Sequence, residues 1–492
     1  MNLRTTLGAS IGSVLANVIR VLLSFGSAVL AVRLLGLEQF GVASAILAQS
    51  VFLHYFLTLG LDQTLPANRE PDRVNEIALV GILVSLLLGT AVTLALTSWH
   101  PITQQDQVAA FLLLWQAVFS AIGAIIAGVL RFRGAYAQLI LKDQILFPLG
   151  IFLSSGFFLW LFDATLLVYA IGYVMTAGLL AVAWLIYFRN DFAQVVSSWR
   201  LGLSQRLKPV SALRDSAPIG VLSLVEIGSP WAVLVVVSWL FAPEQVGLLA
   251  ILIRYGALCT FIPMALGPLI AGSLPKLYWV DRRRFAAATQ EIMRVTVAGA
   301  FVSAGGMLMF FPELLRVAGL PSVPWGFFAL ILLAFLLDGA FLLSKFAIIT
   351  SGDRVLYLAG SALSLMLGAA IAAAPVFRHG AIAGGAALVL ASVGMLAIRW
   401  WLVRRLVGFW LMSWRDALRL AGLFLPIAIL AILGNCESWP FLVRVVVLIP
   451  PVSVLALVIW RSLSPEGFFL ASIAKSNTKP SREPMGDENA SR

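Results

Sequence analysis

Apolar runs long enough to cross a lipid bilayer recur along this chain from residue 8 to residue 462 and leave little room for anything else. A helix needs about 20 mostly apolar residues to cross roughly 30 Å of hydrocarbon. Only 12% of the residues are charged, 61% are hydrophobic and the mean hydropathy is +0.97, so water is not the solvent of most of this chain. An excess of 34 Lys and Arg over 23 Asp and Glu would point a soluble protein toward nucleic acid. Here the basic residues sit in short loops between the runs, where they set topology, and no nucleic-acid partner is expected. Cys259 and Cys436 lie within or at the end of apolar runs, so no disulfide framework, metal site or cofactor is indicated.

Breakers between the runs predict helices over 8–34, 39–61, 76–98, 108–130, 139–162 and 164–188. After a polar segment they predict helices over 217–241, 244–274, 292–315, 326–349, 356–375, 380–402, 416–434 and 440–461. The expected fold is an all-α polytopic membrane protein of about fourteen transmembrane helices. The first run continues past Arg20 to about Leu35 without a clear cleavage site, which reads as an uncleaved helix rather than a secretory signal. From about Ser464 the chain becomes a polar tail without apolar periodicity, expected to be disordered.

With a cytoplasmic N-terminus, Arg69, Arg73, Arg131, Arg133, Lys142, the basic residues of 189–215, Lys276, Arg282, Arg283, Arg284, Arg294, Arg354, Arg399, Arg404, Arg405, Arg415 and Arg419 all fall inside. Only Arg33, Arg316, Arg378 and Arg444 fall outside, an asymmetry that predicts both termini in the cytoplasm. Trp400, Trp401 and Trp414 beside these arginines fit an interfacial belt. The loops assigned outside are short, so no soluble catalytic domain is expected and no catalytic residue is assigned. The segment 189–215 reads either as an amphipathic linker on anionic headgroups or as a plain polar linker.

Leu34, Glu38, Gln39 and Gly41 recur as Leu240, Glu244, Gln245 and Gly247, an offset of 206 residues. Six predicted helices separate the copies, an even number, so the two halves have the same orientation and an axis along the membrane normal relates them. The expected organisation is an N-terminal six-helix bundle over 1–188, a linker over 189–215 and a second six-helix bundle over 216–402. Two additional helices over 403–462 and a tail over 463–492 complete it.

Three stretches carry a family resemblance. Arg33-Leu34-Leu35-Gly36-Leu37-Glu38-Gln39-Phe40-Gly41 is followed by Leu59-Gly60-Leu61-Asp62. Glu244-Gln245-Val246-Gly247 leads through Arg254 to Pro263, Pro268, Pro275 and Lys276, and Ser351-Gly352-Asp353-Arg354 forms a turn after the tenth predicted helix. Over roughly residues 1–460 the sequence resembles the Wzx-type polysaccharide flippases, in the superfamily that also holds the MATE drug exporters and the lipid II flippases. The resemblance implies two facing bundles around a central cavity and alternating access in a bacterial cytoplasmic (inner) membrane. The implied substrate is an undecaprenyl-pyrophosphate-linked oligosaccharide, carried from the cytoplasmic to the outer leaflet for lipopolysaccharide or exopolysaccharide synthesis. A polysaccharide polymerase and a chain-length regulator are the implied partners, beside the membrane lipids.

Charges at membrane depth cost about 2.5–3.5 kcal/mol each on insertion scales, which makes them functional candidates. Arg20, Glu226, Arg254, Asp338 and Lys345 are such residues. The repeat offset carries Arg20 onto Glu226, so the two hold equivalent places on the leading helices of the halves. The readings are a breakable pair in which substrate phosphate competes for Arg20, a static pair, or a snorkelling arginine. Arg254 suits a pyrophosphate because a guanidinium holds phosphate oxygens bidentately. Asp338 is a candidate for a coupling proton or for a structural hydrogen bond, and Lys345, two turns on, for snorkelling to the cytoplasmic end. No GxxxxGK[ST] loop is present, so an ion gradient is the expected drive. Competing readings are an ion-coupled exporter of cationic drugs, against which the basic Arg20 and Arg254 argue, and a membrane polymerase or ligase of lipid-linked glycans, which the short outside loops disfavour.

Overall fold

The computed structural model describes residues 3–67, 71–99, 106–200, 209–262, 281–320, 323–341, 354–373 and 381–407, with isolated positions from 264 to 453. The described residues are helical apart from turns. The first helical stretch, Leu3–Thr58, would be roughly 84 Å long if straight, far beyond a bilayer. It breaks at Gly36, whose φ of 79° and ψ of 167° leave the helical path, and becomes two helices, α1 (3–35) and α2 (37–58). Only glycine adopts that conformation without a steric penalty.

Next come α3 (Pro71–Trp99), α4 (Gln107–Phe132) and α5 (136–161). Helix α5 is not uniform: Tyr136–Ile140 and Phe147–Leu161 are α-helical, and Leu141–Leu146 between them is a π-helical turn. Helix α6 (Leu166–Tyr187) is capped by the Thr165 side chain, which accepts from the Val168 amide. Together α1 to α6 pack into one lobe, with close contacts of α3 and α6 on α4 and of α5 on α1 and α6.

Helix α7 (Arg189–Arg200) lies against that lobe. Arg133 meets Asp191 at 3.1 Å and Trp199 Nε1 donates to Glu76 at 2.9 Å, so this part of the predicted linker is a docked helix.

The second lobe contains α8 (Pro209–Leu240), α9 (Pro243–Ala257), α10 (Arg282–Met309), α11 (Phe311–Ala318), α12 (Trp325–Phe341), α13 (Arg354–Ala373) and α14 (Ala381–Val407). Helix α10 begins ten residues before the predicted start at 292, because Asp281 accepts from the amides of Arg283 and Arg284 and caps it. It also ends early: α11 is a separate short helix closed by Gly319 in the left-handed conformation, φ 68°. The predicted helices over 416–434 and 440–461 and the tail lie outside the described residues, apart from a few positions between 443 and 453.

Among the described residues seven helices are long and apolar enough to cross a membrane. Large apolar side chains point outward from them, such as Leu87 at 72%, Trp160 at 75% and Leu179 at 65% exposure. Such a belt is costly in water and at ease in hydrocarbon; this is a multi-pass membrane protein.

Candidate functional site

The lobes meet through α1 and α2 on one side and α8 and α9 on the other. At the end where Gly36 lies, the repeated motifs pack against each other. A methyl group on Gly41 would fall on the Pro243 carbonyl, and one on Gly247 on the Leu37 carbonyl. Small residues here let two backbones touch. Toward the opposite end, an added Cβ on Gly60 would lie 2.5 Å from the Gly220 amide, and one on Gly220 2.6 Å from the Leu59 carbonyl carbon. Between these contacts, Asn17 Nδ2 donates to the Phe261 carbonyl at 3.4 Å.

Arg254 lies roughly 16 Å along α9 from Pro243. Its guanidinium stands 5.1 Å from the ring centroid of the buried Phe40 on α2, so it faces the other lobe. Tyr169 on α6 is also within its electrostatic reach. Tyr169 is fully buried, and its ring centroid lies 5.0 Å from that of Tyr173. Arg20 lies roughly 22 Å along α1 from Leu35. It donates across the interface to Met264 Sδ at 3.5 Å, a weak acceptor. Two cations thus stand at different depths of the lobe interface, and neither forms an ion pair among the described residues.

Glu226 is placed on α8, but its side chain lies outside the described residues, as does Lys345. The carboxylate the structure does set near Arg20 is Asp143, on the π-helical turn of the same lobe. Lys142, near the start of the span, is buried at 7% exposure and paired with Asp143. The structure adds this pair, with Asp143 within electrostatic reach of Arg20 and of His54 on α2. The signal was Lys142-Asp143-Gln144, three successive polar residues inside an apolar run.

Asp338 on α12 sits at a shallow cleft lined by Pro230, Phe335, Leu388, Ser392 and Met395. Its carboxylate accepts from Arg399 at 2.9 Å, and Arg399 Nε donates to the Tyr357 hydroxyl at 3.3 Å. Sequence grouped Arg399 with an interfacial belt; at 1% exposure it is a core residue, because α12, α13 and α14 surround it with a carboxylate and a phenol. Among the described residues no three His, Cys, Asp or Glu side chains converge as a metal site requires.

No protein-family profile and no curated protein sequence matches the chain. Solved structures do. The lipid II flippase MurJ in an inward closed conformation superimposes with a TM-score of 0.63 at 11% identity, over 92% of this chain and 99% of that one. An inward-facing multidrug resistance MATE transporter of the MOP superfamily gives 0.54 at 14% identity, over 83% and 96%. The fold is that of the MOP-superfamily transporters. The outward-facing conformation of a MATE transporter shares it, with a TM-score of 0.54 at 12% identity over 82% and 96%. The reciprocal Gly41 and Gly247 contact brings the two copies of the repeated motif together.

Proposed function

We propose that the protein is a flippase that carries an undecaprenyl-pyrophosphate-linked oligosaccharide from the cytoplasmic to the outer leaflet by alternating access. The observation that carries this reading is Arg254, a guanidinium at the lobe interface that faces the opposite lobe across Phe40. Desolvated cations of this kind need an anion, and a planar guanidinium matches the oxygens of a pyrophosphate. Arg20, deeper along the same interface, offers a second contact as the phosphate moves. On the N-in orientation inferred from the basic residues, the Gly41 and Gly247 contact closes the outer end and the Gly60 and Gly220 contact the inner end. Breaking one while keeping the other exposes the arginines to one leaflet at a time.

The MOP fold is equally compatible with an exporter of cationic compounds. For that reading the carboxylate of Asp338 in its cleft is the natural anchor, but Arg399 already occupies it. Gene deletion separates the two. Loss of surface polymer with accumulation of the lipid-linked repeat unit inside the cell upholds the flippase, and failure of Arg254→Ala to complement at normal expression upholds the phosphate anchor. Unchanged polymer overturns the reading in favour of drug export. Repeat units that reach the outer leaflet and stay unpolymerised assign an enzyme instead.

A further inference from the structure

Helix α11 is eight residues long, yet several other parts of the chain hold it. A helix of two turns is not stable by itself, so its partners decide where it stays. Phe311 in its first turn stacks on Phe328 of α12 with 4.0 Å between ring centroids, and the Tyr255 hydroxyl of α9 donates to the Leu314 carbonyl at 2.9 Å. Beyond α14, Arg444 is buried at 3% exposure. Its Nη1 donates to both carboxylate oxygens of Glu313, at 2.6 and 2.7 Å, and to the Met309 carbonyl at 3.2 Å. All of these partners belong to the second lobe or to the chain that follows it.

A further contact crosses to the first lobe. Arg33, near the end of α1 and three residues before the break at Gly36, donates through Nη2 to the Arg316 carbonyl at 3.1 Å. Its aliphatic stem lies beside Gly319, where an added Cβ would be 3.7 Å from Arg33 Cγ. The last turn of a helix leaves carbonyls without helical amide partners and carries partial negative charge, so a guanidinium there is a favourable cap. The bonds at the two ends of α11 differ in kind. Arg444 and Glu313 form a buried ion pair, whereas Arg33 makes one bond from an exposed side chain to a neutral carbonyl, the weaker of the two. Arg33, Arg316 and Arg444 are also three of the four basic residues that sequence assigns outside, and α11 gathers all three.

We propose that α11 is a strap across the outer end of the lobe interface, anchored to the second lobe through Glu313 and Arg444 and fastened to the first through Arg33, and that the Arg33 bond is the one released when this end opens. This rests on the reading above that the Gly41 and Gly247 contact closes the outer end. The glycines let two backbones meet, and at the same end Arg33 holds a helix of one lobe to the other. Arg33 is therefore a positioning residue that sets how often the outer end opens.

Labelling of Val246→Cys by an impermeant maleimide tests this, in the full chain carrying Cys259→Ala and Cys436→Ala in lipid nanodiscs, with Gly41→Val as the reference for an opened end. Adding Arg33→Gln is expected to speed labelling about two- to fivefold, the range that a cation at an exposed helix C-terminus spans. Arg33→Lys, which keeps a cation at the carbonyl, is expected to stay close to the parent rate, and Arg33→Met, which keeps only the stem, to follow Arg33→Gln. Glu313→Gln is expected to speed labelling by loosening the anchor and to add nothing in an Arg33→Gln background, since both act through the same bond. Arg33 is exposed, so its variants carry the test even if Glu313→Gln, which strands a buried arginine, fails to fold. A parent rate for Arg33→Gln beside faster labelling of Gly41→Val overturns the strap and leaves the closure standing. Additive increases from Arg33→Gln and Glu313→Gln give the two residues separate roles and overturn the strap as well. A parent rate for Arg33→Gln and Gly41→Val alike overturns strap and closure together.

Discussion

Gly41 and Gly247 hold reciprocal places at the lobe interface: the space beside Gly41 is filled by the Pro243 carbonyl, and that beside Gly247 by the Leu37 carbonyl. Pro243 follows Leu37 by the same offset of 206 that relates the glycines. The contact is therefore self-complementary, as an interface across a twofold axis must be.

Because neither site has room for a side chain, Gly41→Val and Gly247→Val are each expected to open this end. Overpacking of that kind costs about 1–3 kcal/mol. In a protein whose Cys259 and Cys436 are replaced by alanine, a cysteine at the buried Val246 should react faster with an impermeant maleimide when Gly41→Val is added. An unchanged rate shows that the glycines do not hold the ends together.

The Arg399 and Asp338 pair predicts an asymmetry in thermal stability. Arg399→Leu leaves the carboxylate facing apolar neighbours and should destabilise the second lobe by about 3 kcal/mol. Adding Asp338→Asn should recover most of the loss, because no uncompensated charge then remains. Melting curves of the single and paired variants in detergent check this; equal melting temperatures for Arg399→Leu and wild type exclude it.

Arg254 separates charge from shape. Arg254→Lys keeps the cation and loses the planar fork, so in proteoliposomes transport should fall about tenfold or more, chiefly through weaker substrate binding. Full activity of the lysine variant rules out bidentate capture.

Asp62 lies just past the span ending at Thr58, and burial pushes its carboxyl above its ordinary value of 3.8 despite the opposing charge of Arg131. A folded-state value above the unfolded one means that the folded protein binds this proton more tightly. The resulting stability is fully present below 3.8 and is lost as pH rises through the raised value. Asp62→Asn should therefore melt higher than wild type at neutral pH, with the advantage shrinking toward acid. A variant less stable at neutral pH reveals a gain from the Arg131 guanidinium, 4.0 Å from the Asp62 carboxylate, that outweighs burial.

Much of this architecture is legible in one dimension. Length and hydropathy predict a helix between Val108 and Leu130 because any such run must satisfy its backbone internally once it enters lipid, and the structure has one over Gln107–Phe132. The motif at Glu38 and its copy at Glu244 meet in the fold, where Gly41 packs on Pro243 and Gly247 on Leu37. Ends set by local capping were less visible. Asp281 extends α10 to Arg282, inside a stretch whose three arginines read as loop.

What the sequence determined is what each residue carries with it: apolar length, basic loops and the repeat. Only the tertiary structure decided which buried charges face one another. Arg399 meets Asp338 from 61 positions away, and Lys142 turns inward on a local π-helical turn to meet Asp143. The reason is that hydropathy is a property of a segment, whereas the cost of a buried charge is set by the partner another helix brings to it.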